Sequence, residues 1–266
     1  QQSSLKKLLG ADDYSFVKQG LELIEALDDS DMITHFAEGI SIGDTGKVLY
    51  QQSTIAAWVL FPFQLDVALF LARRTGLLDS LEVLDLSNSM VQDLSPIKGL
   101  TSLTELRIAN CHELKDIGIL ETLPNLQNLT YANEHIYTKT DLPERHDVDS
   151  WYEKSIDRNF HLPKTVSLDA LVTLSLPNLS RLNISHMKRN KFKLNTLTVF
   201  PKLVEQLGKS VSIGEDGVFN MTQDVTECFP VKNQPTVALL AASHEGLLDE
   251  TTHLVLNKVN DLSPLT

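Results

Sequence analysis

Leu81–Leu126 reads LEVLDLSNSMVQDLSPIKGLTSLTELRIANCHELKDIGILETLPNL. Its leucines keep neither the three-and-four-residue period of a helix nor the alternation of a half-buried strand. Placing Leu81, Leu84 and Leu86 over Leu103, Leu106 and Ile108 needs a shift of 22 residues, and placing that set over Leu126, Leu129 and Tyr131 needs 23. A repeat of this length marks units that cannot bury their apolar faces alone and must stack. In each LxxLxL the two closest leucines point to one side of a short strand, the third comes under through the preceding bend, and the return segment closes a coil of apolar interior. Stacked coils pair their strands in a parallel sheet whose ends need covering.

This pattern resembles the leucine-rich repeats. DLSPIKGLTSL between the first two copies and LETLPNL before the third are similar to the return segments of the short bacterial class typified by internalins. After Ala132 the pattern disappears, and it returns where LPNLSRLNIS at Leu176–Ser185 matches LPNLQNLTYA at Leu123–Ala132. Leu194, Leu197 and Val199 read as a further LxxLxV, and Val211–Ile213 as a further strand. Asp261–Leu265 copies Asp93–Ile97, and the chain then stops at Thr266, which suggests a fragment of something longer with a repeat or terminal cap missing. The asparagine usual at the turn after the strand is Ser89 in one copy and Cys111 in the next. The N-terminal LLGADDYSFVKQGLELIEAL resembles the helical leader of some bacterial repeat proteins.

The resemblance implies an α/β chain: a leucine-rich repeat solenoid with a parallel β-sheet, preceded by an α-helical N-terminal cap region. The expected divisions are residues 1–79 for the helical region, 80–134 for repeats, 135–170 for an insertion or degenerate repeat, and 171–266 for further irregular repeats, incomplete at the C-terminus. Within the first part, Asp12-Asp13 supply an N-cap ahead of Phe16, Val17, Gly20, Leu21, Ile24 and Leu27, and Asp28-Asp29-Ser30-Asp31 stops that helix. Met32, Ile33 and Phe36 suggest another helix before the turn-rich SIGDTGK. Thr54–Ala72 (TIAAWVLFPFQLDVALFLA) approaches membrane-spanning length, but Pro62, Gln64 and Asp66 interrupt it, so it reads as a buried helix or a helix pair broken at Pro62.

With 42% hydrophobic and 22% charged residues the chain has the composition of a folded globular protein. Its net charge of -12 opposes nucleic acid and anionic lipid as partners. The basic run Lys188–Lys193 reads as a solvated turn. Cys111 and Cys228 form no CxxC pair and are too few for a disulfide framework, which fits a reducing, cytoplasmic setting, with secretion as an effector left open. The chain begins at Gln1 without a leader pattern, so either a leader was removed or this is an excerpt.

No GxSxG, HExxH, GxGxxG or complete phosphate loop is present, and Ser41–Lys47 reads as a turn. His135, His146, Asp147, Asp149 and His161 match no metal-ligand spacing and read as loop residues, so no cofactor or metal is expected. Cys111 is expected to be a buried thiol. The sequons at Asn128, Asn178, Asn183 and Asn220 follow from the repeat pattern itself.

Residues between the leucines point away from the core and should form columns down the sheet. These are Val83, Glu105, Asn128 and Arg181; Asp85, Arg107, Thr130 and Asn183; and the small Ser87, Ala109, Ala132 and Ser185. The expected function is a non-catalytic scaffold that binds another protein, of unknown identity, on the concave face through the first two columns. One alternative makes the chain a sensor or targeting arm of a larger bacterial effector or enzyme; another is a metal-dependent hydrolase built on His135–His161.

Overall fold

The computed structural model describes residues 2–50, 58–131, 168–184, 194–231, 233–249, 251 and 254–255. It opens with three helices: α1 (Gln2–Leu9), α2 (Tyr14–Leu27) and α3 (Ser30–Ala37). Asp13 caps α2 by accepting from Ser15 N–H at 2.8 Å, and Asp29 caps α3 by accepting from Met32 N–H at 3.0 Å. Between them Asp28 takes the left-handed conformation at φ 47° and closes α2 by donating its N–H to Ile24 O. Val17, Gly20, Leu21 and Ile24 make the buried stripe of α2, whereas Phe16 stays 47% exposed and packs outside it.

Residues 40–50 depart from an all-helical opening. Ile40–Ile42 (β1) and Val48–Tyr50 (β2) form an antiparallel hairpin with Gly43–Lys47 as its turn, so Ser41 and Ile42, expected in the turn, belong to β1. Gly46 sits at φ 81°, and a Cβ there would lie 2.3 Å from Val83 O, so only glycine fits. Its carbonyl accepts from Asp85 N–H at 3.0 Å, and Lys47 bridges Asp85 in parallel. The hairpin thereby covers the free edge of the strand that follows.

Phe61–Phe63 is a single 3-10 turn with Pro62 in its first positions, leading straight into α4 (Gln64–Arg74). Pro62 therefore starts this helix; residues 54–57, at the start of the expected helix pair, lie outside the described residues. Val67, Ala68, Leu69, Leu71 and Ala72 are fully buried, and no helix among the described residues is long and apolar enough to cross a membrane. Asp66 on α4 is also buried, at 2% exposure. Its Oδ1 accepts from the N–H groups of Gln92 and Asp93 at 3.0 Å each and from Tyr14 OH at 3.5 Å, tying the helix to the first return segment.

Val83–Asp85 (β3), Glu105–Arg107 (β4), Asn128–Thr130 (β5) and Arg181–Asn183 (β6) form a parallel sheet in that order. Leu84, Leu106, Leu129 and Leu182 stand in register on neighbouring strands and are at most 1% exposed. The segment before β6 begins with the short α5 (Leu168–Leu171). Asparagines of the Leu-Pro-Asn turns staple the coils: Asn125 Nδ2 donates to Thr101 O and Asn178 Nδ2 to Pro124 O, each at 2.7 Å.

After β6 no further strand joins the parallel sheet among the described residues. Leu194–Val199, expected as LxxLxV, is a 3-10 turn: Val199 is 47% exposed while Leu197 and Phe200 are buried, so inside and outside do not alternate. Then come α6 (Pro201–Lys209), the antiparallel pair β7 (Val211–Ile213) and β8 (Phe219–Met221), α7 (Gln223–Cys228) and α8 (Gln234–His244). Val211–Ile213 is a strand as expected, but of a hairpin and not of the parallel sheet. One apolar core runs through the described residues from Leu5 to Ala241.

Candidate partner-binding face

The expected columns are present as rows of pairs across the parallel sheet. Val83 stands opposite Glu105, Glu105 opposite Asn128, and Asn128 opposite Arg181; Asp85, Arg107, Thr130 and Asn183 line up in the same way. The central leucine of each strand points into the core, so its two neighbours must point outward. Seven of these eight residues are half-buried, and Arg181 is exposed. The long interruption does not displace β6: Ser180 and Arg181 N–H both donate to Gln127 O, at 2.8 and 3.0 Å, and Tyr131 N–H donates to Asn183 O at 2.9 Å.

The face is electrically mixed. Arg107 Nε donates to Glu105 Oε1 at 2.6 Å, while Asp85 accepts from Ser87 N–H at 2.9 Å. Asp85 stands on β3, Glu105 and Arg107 share β4, and Arg181 stands on β6. Glu105, Arg107, Asn128, Leu129, Thr130, Arg181 and Asn183 line a depression of about 350 Å³. A second cleft of about 240 Å³ follows at the seam between β6 and α6, where Asn128 and Arg181 meet Gln206, Ser210 and Phe229. Of the small third column, Ser87 is half-buried and Ala109 buried, while Ala132 and Ser185 lie outside the described residues.

The turns after β3 and β4 are built by residues that the repeat comparison passed over. Asn88 and Asn110 take φ of 59° and 58°, a left-handed conformation that asparagine tolerates better than most side chains. Asn110 Nδ2 donates to Asn88 Oδ1 at 2.8 Å, linking the two turns. The signal was the Asn in LSN and IAN, 22 residues apart. One position further on, Cys111 is buried as expected, with Sγ donating to Leu86 O at 3.1 Å and lying 3.7 Å from Ser89 Oγ. Burial pushes its thiol up to about 12, the Ser89 contacts lowering it only in part, so it stays protonated and a poor nucleophile at neutral pH.

Among the described residues no group of three or more His, Cys, Asp or Glu side chains could hold a metal. His135, His146, Asp147, Asp149, His161 and the basic run Lys188–Lys193 lie outside those residues.

Residues 79–121 match the family model of leucine rich repeats (2 copies), the stretch that holds β3, β4 and their return segments. No curated protein matches the chain significantly. Residues 79–121 thus carry leucine-rich repeats, within an α/β arrangement of a parallel sheet preceded by a helical N-terminal region.

Proposed function

We propose that this leucine-rich repeat chain is a non-catalytic scaffold that recognises another protein through the outer, concave face of a solenoid. The observation that carries the reading is the register of the four strands, which sets Val83, Glu105, Asn128 and Arg181 beside Asp85, Arg107, Thr130 and Asn183, all but Val83 and Asp85 lining the depression of about 350 Å³. Repeats of this family generally mediate contacts between proteins, and a face bearing both charge signs beside amides suits a polar protein surface more than a small apolar ligand. The net charge of -12 supports a partner that is neither nucleic acid nor an anionic bilayer. The return segments support the short bacterial, internalin-like class, and the paucity of cysteine supports a cytoplasmic setting.

The test is positional. A photo-crosslinking residue replaces Thr130 on the face in one variant, and Lys98 on an exposed return segment in another, and both are irradiated in a native lysate. The reading expects adducts from Thr130 that the Glu105→Ala/Arg107→Ala pair abolishes, and none of those adducts from Lys98. Equal labelling at the two positions overturns the face.

A further inference from the structure

The hairpin and α4, which precede β3, recur after β6. SIGDTG at Ser41–Gly46 returns as SIGEDG at Ser212–Gly217, VALFLA at Val67–Ala72 as VALLAA at Val237–Ala242, and GLLD at Gly76–Asp79 as GLLD at Gly246–Asp249. The likeness extends to the backbone. Gly43 N–H donates to Lys47 O and Gly46 N–H to Gly43 O at 2.9 and 2.8 Å, and Gly214 to Val218 O and Gly217 to Gly214 O at 2.9 Å each. Gly46 and Gly217 have φ of 81° and 74°.

The helices agree as well. Gln64 Nε2 donates to Val59 O at 2.9 Å, and Gln234 Nε2 to Phe229 O at 3.0 Å, both bonds buried. At the ends of α4 and α8 the same bonds form: Leu77 N–H to Ala72 O and Leu247 N–H to Ala242 O, at 2.9 and 3.0 Å, then Asp79 to Gly76 O and Asp249 to Gly246 O, at 3.1 Å each. One buried position differs in chemistry, Asp66 in the first copy being Thr236 in the second.

Each copy also reaches the strand position that follows it. Asp85 N–H donates to Gly46 O at 3.0 Å, and Val255 N–H donates to Gly217 O at 2.9 Å. In the first copy this bond is where the repeats begin. In the second, Leu254 and Val255 stand where Leu84 and Asp85 stand, and the sequence goes on to DLSPL at Asp261–Leu265 as the first goes on to DLSPI.

The second copy has a different neighbour on its other side. Cys228 O accepts from Ile184 N–H at 2.8 Å, so this copy seals the far edge of the sheet at β6. The matching carbonyl of the first copy, Trp58 O, faces α1 instead: a Cβ on Gly10 would lie 2.6 Å from it. The turn after α1 thus lies beside this carbonyl in the first copy, where β6 lies in the second.

We propose that residues 194–249 are a second cap, and that its hairpin edge at Gly217 is a docking edge whose occupant is this chain's own segment Thr251–Thr266, held at Val255 as β3 is held at Asp85 by the first hairpin. At the position that Asp85 holds after the first cap stands Val255, 37% exposed.

Hydrogen exchange read by mass spectrometry on the whole chain tests this without any partner. Peptides spanning Leu254–Thr266 are expected to exchange at least about tenfold more slowly than the free synthetic peptide Thr251–Thr266, because seated amides open only with their structural unit. Leu254→Asp, which puts a charge at the half-buried position that matches Leu84, is expected to abolish that protection while leaving peptides within 83–131 unchanged. Exchange at the rate of the free peptide overturns the proposal, and so does protection that Leu254→Asp leaves intact.

Discussion

Arg107 and Glu105 share one strand of the parallel sheet and are joined Nε to Oε1 at 2.6 Å, both side chains only partly shielded. An ion pair so placed adds roughly 0.2–1 kcal/mol to stability. Its removal therefore separates binding from folding. Glu105→Ala/Arg107→Ala is expected to lower the thermal midpoint by less than about 4 °C while weakening partner binding at least about tenfold, which corresponds to about 1.4 kcal/mol. A thermal melt and a titration against the crosslinked partner check the two halves.

Asp66 makes stability depend on pH. Burial pushes its carboxyl up to about 7; the Gln92 and Asp93 amides oppose the rise, the Asp93 charge adds to it, and Tyr14 OH lowers it slightly. A carboxyl raised in the folded state holds its proton where the unfolded chain has already lost it. Stability contributed by the protonated form is complete below about 4, the unfolded value, and is lost as pH rises through about 7. The urea midpoint at pH 8.5 should accordingly fall below that at pH 5.5, and Asp66→Asn should flatten the difference because the amide oxygen still accepts from Gln92 and Asp93. Thr236, fully buried at the matching position of the second cap, shows that this place in the fold does not require a carboxylate. Parallel pH dependence of Asp66→Asn and the parent would refute the assignment.

Gly46 has no room for a side chain. At φ 81°, with a Cβ only 2.3 Å from Val83 O, Gly46→Ala must push the hairpin off β3. The expected loss is about 2 kcal/mol or more, combining left-handed strain with a displaced edge bond. Gly99, also at positive φ but with nothing within 4 Å of a Cβ, isolates the strain alone. Denaturant melts of the two alanine variants should rank Gly46 as the more damaging.

Asn110 combines a left-handed backbone with a side-chain link to Asn88. Asn110→Gly keeps the conformation and loses the amide, whereas Asn110→Ala loses both. Alanine should destabilise by about 1 kcal/mol more than glycine. Equal melts would mean that the backbone angle is not what selects asparagine here.

The parallel sheet was legible because its spacing is a direct image of its geometry: Leu84, Leu106 and Leu129 recur where a core-facing side chain must recur, and Leu-Pro-Asn at Leu176–Asn178 restored the register for Arg181 and Asn183. The hairpin at Ile40–Tyr50 was not legible, since three-residue strands leave no room for alternation and SIGDTGK reads as a turn from either side. Leu194–Val199 satisfied the leucine pattern yet became a 3-10 turn, because Phe200, not Val199, goes inward. The second cap escaped notice except for its DLSP copy. Its offset from the first drifts from 171 at the hairpin glycines Gly46 and Gly217, to 170 at Gln64 and Gln234, to 168 at Asp93 and Asp261, so no single shift aligns it. Asp66 carried no sequence signal beyond a charge inside an apolar run.

The bond from Ile184 to Cys228 has one more consequence, in how such a chain can lengthen over generations. A unit that arrives already carrying a lid for its predecessor and a foundation for its successor can be copied whole between existing units. At no stage does the copying leave raw strand edges to recruit stray polypeptide.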